Sequence, residues 1–365
     1  MTRLIYFSRD YTTHDHRFLS ALAGTPYETY YLRLERGKAQ LEDRPLPAGI
    51  QIIKWSGGES AFSISKAPRL LFELRQLIQE LKPDLIHAGP IQSCAFLAAI
   101  TGFQKLFSMS WGYDLLLDAD RSWFWRKATQ FTLRRSKRLI TDCQTVLEKA
   151  GSLGMPMDQM ITFPWGVDLG KFTTGKYPPE DTSQFAILST RSWEPIYGVD
   201  ILAKAFVEAA HQNKSLGLIM IGSGSQASLL RKIFDHGSVM ERVLLPGQVS
   251  QADLPRYYQM ADLYISASHI DGSSVSLMEA LACGRPVLVS DIPGNREWVE
   301  PGANGWWFKD GDVDDLAKKI LLASEQRQDL IAMSKAARQL AEEKADWERN
   351  FPLLLDAYES VLSEA

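Results

Sequence analysis

The sequence predicts an α/β protein built of two similar halves, and three observations lead there. Short apolar runs alternate with amphipathic helical stretches from end to end, the pattern of βα units and parallel sheets. That alternation lapses once, around residues 171–183, into Thr-Thr-Gly-Lys-Tyr-Pro-Pro-Glu-Asp-Thr-Ser, which is a linker composition. The length of 365 residues exceeds a typical single domain, so two domains of about 150 residues each are expected.

In the first half the apolar runs predict strands over residues 4–7, 28–32, 50–55, 85–87, 106–110, 138–141 and 159–163. Between them lie helical patterns such as residues 67–81, stopped at Lys82-Pro83. After the linker a second series begins, with strands over 185–189, 216–221, 243–246, 263–266 and 286–290. The terminal stretch 347–362 carries Trp347, Phe351, Leu354, Leu355, Tyr358 and Val361 at mixed three- and four-residue spacing, so it is a helix with one strongly apolar face.

Composition narrows the class. With 45% hydrophobic and 23% charged residues the chain is an ordinary globular one. A net charge of −4 supplies no global attraction to nucleic acid, and none is expected as a partner. Cys94, Cys143 and Cys283 are odd in number and far apart in apolar runs, against a disulfide framework or a zinc site. The six histidines are scattered with no ligand spacing, so no metal is expected. The first apolar run is too short for a signal peptide, and no later segment reaches about 18 uncharged apolar residues, so the expected location is cytoplasmic.

The most informative run is Asp271-Gly-Ser-Ser-Val-Ser-Leu-Met-Glu279, in which two carboxylates flank a small, hydroxyl-rich loop. Successive amides at a helix start, here the loop Gly272-Ser273-Ser274, form an anion-binding concavity, and a carboxylate accepts paired hydrogen bonds from vicinal hydroxyls. A helix cap at Asp271 and a solvated Glu279 is the competing reading. Arg191 lies just past the 185–189 strand, at the carboxyl end where open α/β sheets bind ligands; a guanidinium there suits a diphosphate, and a surface salt bridge to Glu194 is the alternative. The turn at Gly222-Ser223-Gly224 reads either as a shortened phosphate-binding fingerprint or as a tight strand-to-helix turn. His87, at the end of its strand, reads as a cleft residue or as a structural one. Residues 121–138 interleave seven basic residues with four aromatics and no acid. That composition suits either an interfacial helix on anionic lipid or a core helix with Trp123, Phe124 and Phe131 inward.

With Arg191, Gly198, the Asp271 to Glu279 loop, Cys283-Gly284-Arg285-Pro286, Gly294 and Asn304-Gly305 in order, the chain resembles the retaining glycosyltransferases of family 4. The first half agrees, through Lys82-Pro83-Asp84-Leu85-Ile86-His87, Trp111-Gly112-Tyr113-Asp114 and Pro164-Trp165-Gly166-Val167-Asp168. The resemblance covers nearly the whole chain. It implies the GT-B fold: two Rossmann-like domains facing a central cleft, with a C-terminal helix crossing back to the N-terminal domain. On that division the acceptor-side domain is 1–172 with 347–365, the hinge is 173–183, and the donor-binding domain is 184–346.

The same resemblance implies a retaining enzyme of hexosyltransferase type, moving a sugar from a UDP- or GDP-type donor to a glycan or lipid-linked acceptor, with no cofactor. Arg191 would neutralise the donor diphosphate, Glu279 would bind the ribose, and Asp271 with the loop amides of Ser273, Ser274 and Val275 would hold the transferred sugar. Gln248 and Val249 would face the base, and Trp111 and Gly112 would border the acceptor. Separately, the interfacial reading of 121–138 would give peripheral contact with the inner face of a membrane. Three positions depart from the family pattern: Asp271 stands where Glu is usual, Tyr197 where Lys is usual, and Trp111 where many relatives have His. A nucleotide-sugar binding protein without transferase activity, or a phosphorylase or epimerase on the same fold, is the alternative.

Overall fold

The computed structural model describes residues 1–35, 42, 44–59, 61, 63–175 and 184–364. The chain forms two compact units, Met1–Phe163 with the segment from Phe351 onward, and Pro164–Asn350. Residues 176–183 of the expected hinge lie outside the described residues.

The first unit holds β1 (Arg3–Arg9), β2 (Glu28–Leu34), β3 (Gln51–Ile53), β4 (Leu85–Gly89), β5 (Leu106–Met109), β6 (Arg138–Thr141) and β7 (Met160–Thr162). They make one sheet in the order β3-β2-β1-β4-β5-β6-β7, parallel throughout. The helix over Ala67–Leu81 ends where the sequence stops it, with Lys82 in the left-handed region. The terminal helix Trp347–Ser363 contains Pro352. From Phe351 onward it belongs to this first unit, and Tyr358, fully buried, sets its ring 5.1 Å from Phe107 and 5.9 Å from Tyr27.

The second unit holds β8 (Phe185–Ser189), β9 (Leu216–Ile221), β10 (Val243–Gly247), β11 (Leu263–Ser266), β12 (Val287–Ser290) and β13 (Gly305–Phe308). Their order is β10-β9-β8-β11-β12-β13, again all parallel. Side chains alternate cleanly between the two faces of this sheet. Phe185, Ile187, Leu218, Met220, Leu263, Ile265, Leu288, Trp306 and Phe308 join one core. Leu188, Ile219, Ile221, Tyr264, Val287 and Val289 join the other. Both faces are covered, as parallel strands require, which is why the strands read as continuous apolar runs. The sequence reading missed β13, because Asn304-Gly305 reads as a turn and the strand is only four residues long.

The boundary also differs from the expected one at 172. Residues 164–172 pack in the second unit: Val167 N–H donates to Ala345 O at 2.7 Å, and Phe172 meets the Tyr258 ring at 6.0 Å. Val167 and Phe172 are buried in that unit's core, so their apolar burial fixes the segment there.

Candidate functional site

Parallel strands put their carboxyl ends along one edge, and in the second unit that edge gathers most of the singled-out residues. Arg191 follows β8 by two residues. The loop from Asp271 leads from β11 into the helix Val275–Ala282, whose first turn begins at Ser274. Because β8 and β11 are neighbours, the two segments meet. Arg191 Nη1 donates to Ser274 Oγ at 2.6 Å and to Ser276 Oγ at 3.0 Å, while Nη2 stands 2.8 Å from Asp271 Oδ2. Ser276 is fixed from behind by the buried Tyr264, whose hydroxyl donates to its Oγ at 2.8 Å. The Tyr197 ring lies 4.2 Å from the Arg191 guanidinium carbon, a cation–π contact. Arg191 Nε is enclosed and has no hydrogen-bond partner among the described residues. Arg191 therefore pairs with Asp271; the alternative partner Glu194 instead accepts from Ser225 N–H at 2.9 Å.

The loop is held from below. A Cβ on Gly294 would stand 2.4 Å from Asp271 O and 2.8 Å from Gly272 O, so only glycine lets the helix Pro293–Arg296 approach. Trp298 Nε1 donates to Ser273 Oγ at 3.0 Å. Burial pushes the Asp271 carboxyl above the usual carboxylate range, opposed by Arg191, the Ser274 hydroxyl and the Gly272 amide. Glu279, one turn into the helix, is buried and accepts from the Tyr258 hydroxyl at 2.9 Å. Tyr258 also meets Thr190 Oγ1 at 2.8 Å, which joins the Glu279 end of the site to the segment carrying Arg191. Tyr258, Tyr264 and Ser276 escape the sequence reading. The two tyrosines sit in apolar patterns that read as core, and only the hydroxyl-rich loop hinted at Ser276.

Gly222 is decided by packing: φ is +141° and a Cβ there would stand 2.7 Å from Arg191 O. Its N–H donates to Gly247 O at 2.9 Å, so the turn buttresses the Arg191 segment. Gln248 is exposed and Val249 half-buried just beyond β10, on the same edge.

The first unit separates its candidates. The sequence reading offers His87 to a ligand, but the structure encloses it completely. It is ringed by Tyr6 at 5.1 Å, Phe107 at 5.3 Å and Tyr358 at 5.6 Å, with Nδ1 hydrogen-bonded to the Tyr358 hydroxyl. Burial drops its pKa to about 3, so it stays neutral, a structural residue under the terminal helix. Trp111 and Gly112 do sit at the carboxyl edge, in a turn fixed by Asp114. That buried carboxylate accepts from Trp111 N–H at 3.0 Å, Ile91 N–H at 2.9 Å and Ser110 Oγ at 2.6 Å. Gly112 N–H donates to Ser110 Oγ at 3.1 Å, and Trp111 is half-buried with its ring 5.3 Å from His14. Among the described residues no three His, Cys, Asp or Glu side chains group to hold a metal ion, and no helix is long and apolar enough to cross a membrane.

Comparison with known proteins gives the family and the fold. The family model described as glycosyl transferases group 1 matches residues 175–340, and that described as glycosyl transferase 4-like matches residues 3–143. The chain is similar to the GtfA subunit of the UDP-N-acetylglucosamine–peptide N-acetylglucosaminyltransferase of Streptococcus pneumoniae, 32% identical over 40% of this chain and 29% of that one. It thus spans less than a third of that relative's length. A GDP-mannose-dependent alpha-(1-6)-phosphatidylinositol monomannoside mannosyltransferase of Mycolicibacterium smegmatis is 22% identical over 90% of this chain and 89% of its own. Anabaena HepE, solved with UDP and glucose, shares the fold at a TM-score of 0.80 and 17% identity, over 99% of this chain and all of that one. Each half of the chain meets a glycosyltransferase model in the order the fold requires, and the protein belongs to the group 1, family 4-like glycosyl transferases with the GT-B fold.

Proposed function

We propose that this chain is a retaining glycosyltransferase of hexosyltransferase type, moving a sugar from a UDP- or GDP-type nucleotide sugar to an acceptor hydroxyl. The observation that carries the reading is the convergence of Arg191 on the start of the helix Val275–Ala282. A guanidinium with an enclosed, unpartnered Nε–H faces two serine hydroxyls at a helix N-terminus, an arrangement that attracts a diphosphate. Glu279 is assigned to the ribose diol, Asp271 with Ser273, Ser274 and Val275 to the transferred sugar, and Gln248 and Val249 to the base. In a front-face displacement the departing diphosphate takes the acceptor proton, and Arg191 and the loop amides stabilise the charge that develops on it, with no metal or cofactor invoked. The Trp111–Gly112 turn is assigned to the acceptor.

The relatives support a nucleotide-sugar donor but span both bases: GtfA is named for UDP-N-acetylglucosamine and the mycobacterial enzyme for GDP-mannose. The latter is also named for a phosphatidylinositol mannoside acceptor, which supports a glycan or lipid-linked acceptor here; peripheral work at a cytoplasmic membrane face is proposed with it. Thermal shift against UDP, GDP and their sugars tests the donor, since a ligand at 100 times its Kd adds about 2.7 kcal/mol of stability. Proton NMR of the anomeric signal in the product then tests retention. A chain stabilised by a nicotinamide dinucleotide and by no nucleoside diphosphate would overturn the proposal. Tyr197, which offers Arg191 a ring and no second cation, favours the alternative of donor binding without transfer; failure of the bound donor to turn over would select it.

A further inference from the structure

The helix Trp123–Arg135 is built inside out. Its buried side carries Thr129, Thr132 and Leu133, and the two threonines turn their hydroxyls back on Trp125 O at 2.8 Å and Ala128 O at 2.9 Å. Trp123 and Phe124 point away, 73% and 66% exposed, and Phe131, 41% exposed, sets one edge against the Phe96 ring at 5.9 Å and turns the rest outward. The core-helix alternative, with these three rings inward, is therefore not what the fold adopts. At ~100° per residue, positions 123, 124, 127, 131, 134 and 135 fall within a sector of roughly 120°, so Lys127, Arg134 and Arg135 share the outer face with the three rings.

The charges on this face are unspent. Asp120 pairs with Arg126 at 2.5 Å and with Lys149, and Lys137 and Arg138 pair with Glu364 at 2.6 and 2.5 Å. Among the described residues Lys127, Arg134 and Arg135 have no ion pair. Three exposed rings on one helix face make an apolar surface of the kind that marks an interaction site. Interleaving them with cations along the full helix matches a headgroup boundary, where acyl chains and phosphates lie at adjacent depths.

We propose that this face docks the protein on an anionic phospholipid bilayer, with Trp123, Phe124 and Phe131 entering the acyl boundary while Lys127, Arg134 and Arg135 meet lipid phosphates. It rests on the peripheral membrane role proposed above and gives it a surface and a lipid class. The chain's net charge of −4 repels the rest of the molecule from such a bilayer, so one face attaches and the protein sits in one orientation.

The test is co-sedimentation with vesicles of phosphatidylcholine alone and of phosphatidylcholine mixed equally with phosphatidylglycerol, at low and high salt. The full chain should bind the anionic vesicles and leave them at high salt. The triple variant Lys127→Gln, Arg134→Gln, Arg135→Gln should lose on the order of 100-fold in partition coefficient. Trp123→Ser with Phe124→Ser should lose about 10-fold or more and abolish the blue shift of tryptophan emission on binding. The pair Arg231→Glu, Lys232→Glu, on the second unit, changes net charge more than the triple variant does and should bind as the parent. Equal binding to both vesicles, no binding to either, or parent-like binding by the Lys127, Arg134, Arg135 variant or by the Trp123, Phe124 variant would overturn the proposal. Thermal shift with UDP and GDP on the same samples reads the donor site independently, so a failed docking surface and a failed donor assignment give different patterns.

Discussion

Asp271 Oδ2 lies 2.8 Å from Arg191 Nη2, and both side chains are largely enclosed, at 17% and 11% exposure. The two residues assigned to different parts of the donor thus face each other. A diphosphate drawn to Arg191 competes with Asp271 for the same guanidinium. Arg191→Ala leaves a buried carboxylate without its counter-charge, and urea unfolding should show a loss of about 3 kcal/mol. The double variant Arg191→Ala, Asp271→Ala should cost less than the sum of the single ones. Turnover of Arg191→Ala should fall about 10²–10³-fold. Additive stability costs would show that the pair is not coupled.

Tyr197→Lys separates the empty site from the occupied one. It removes the ring 4.2 Å from Arg191 and places a second cation there, so the melting temperature of the free protein should fall, by about 1 kcal/mol of lost cation–π contact and added repulsion. A nucleoside diphosphate should then produce a larger upward shift in the variant than in the parent, reduced by salt. An unchanged or smaller shift would remove the assignment of the diphosphate to this corner.

Tyr258 positions Glu279 through its 2.9 Å hydrogen bond. Tyr258→Phe should raise KM for the donor by about 10-fold with kcat little changed, because a hydrogen bond to a buried carboxylate orients ground state and transition state alike. Glu279→Gln should raise KM further. Steady-state kinetics in donor concentration measure both, and a kcat effect without a KM effect would argue against ribose binding.

Two buried groups in the first unit titrate in opposite senses. Burial raises the Asp15 carboxyl from 3.8 to about 6, against its hydrogen bonds from Thr12, Ser8 and Tyr6. The native chain therefore keeps a proton that the unfolded chain releases, and this contribution to stability falls as pH rises from about 4 to 6. Burial lowers His87 from 6.5 to about 3, so the unfolded chain takes up a proton that the native chain refuses, and this contribution falls as pH drops below 6.5. Relative to the parent, Asp15→Asn should lose stability more steeply on acidification from pH 6 to 4, and His87→Gln less steeply. Urea titrations across that range measure the slopes, and parallel slopes for all three proteins would contradict both assignments.

What the sequence revealed follows its periodicity. Strands such as β8 and β9 were legible because buried parallel strands are short apolar runs, and the helix Ala67–Leu81 because its pattern ends at Lys82-Pro83. The loop at Asp271 was legible because glycine and serines between carboxylates have no role in a core. The pairing of Asp271 with Arg191 was not, since 80 residues separate them and only the adjacency of β8 and β11 joins them. His87 misled because a strand-end histidine looks the same in sequence whether its strand end is open or roofed. Here the roof is Tyr358, distant in the chain. Helix Trp123–Arg135 resisted reading for another reason: its composition was plain, but which face turned outward depended on Thr129 and Thr132 being small enough to pack.

The terminal helix also sets a schedule. Tyr358 and Val361 are fully buried in the first unit, against strands completed some 250 residues earlier in synthesis by the distance from Phe107 to Tyr358. The ring at Phe107 and the imidazole of His87 wait for a side chain that is made only after every strand of the second unit. The first unit thus closes its core only after the strands of the second have been made, and through that interval its apolar floor is exposed to chaperones and to other nascent chains.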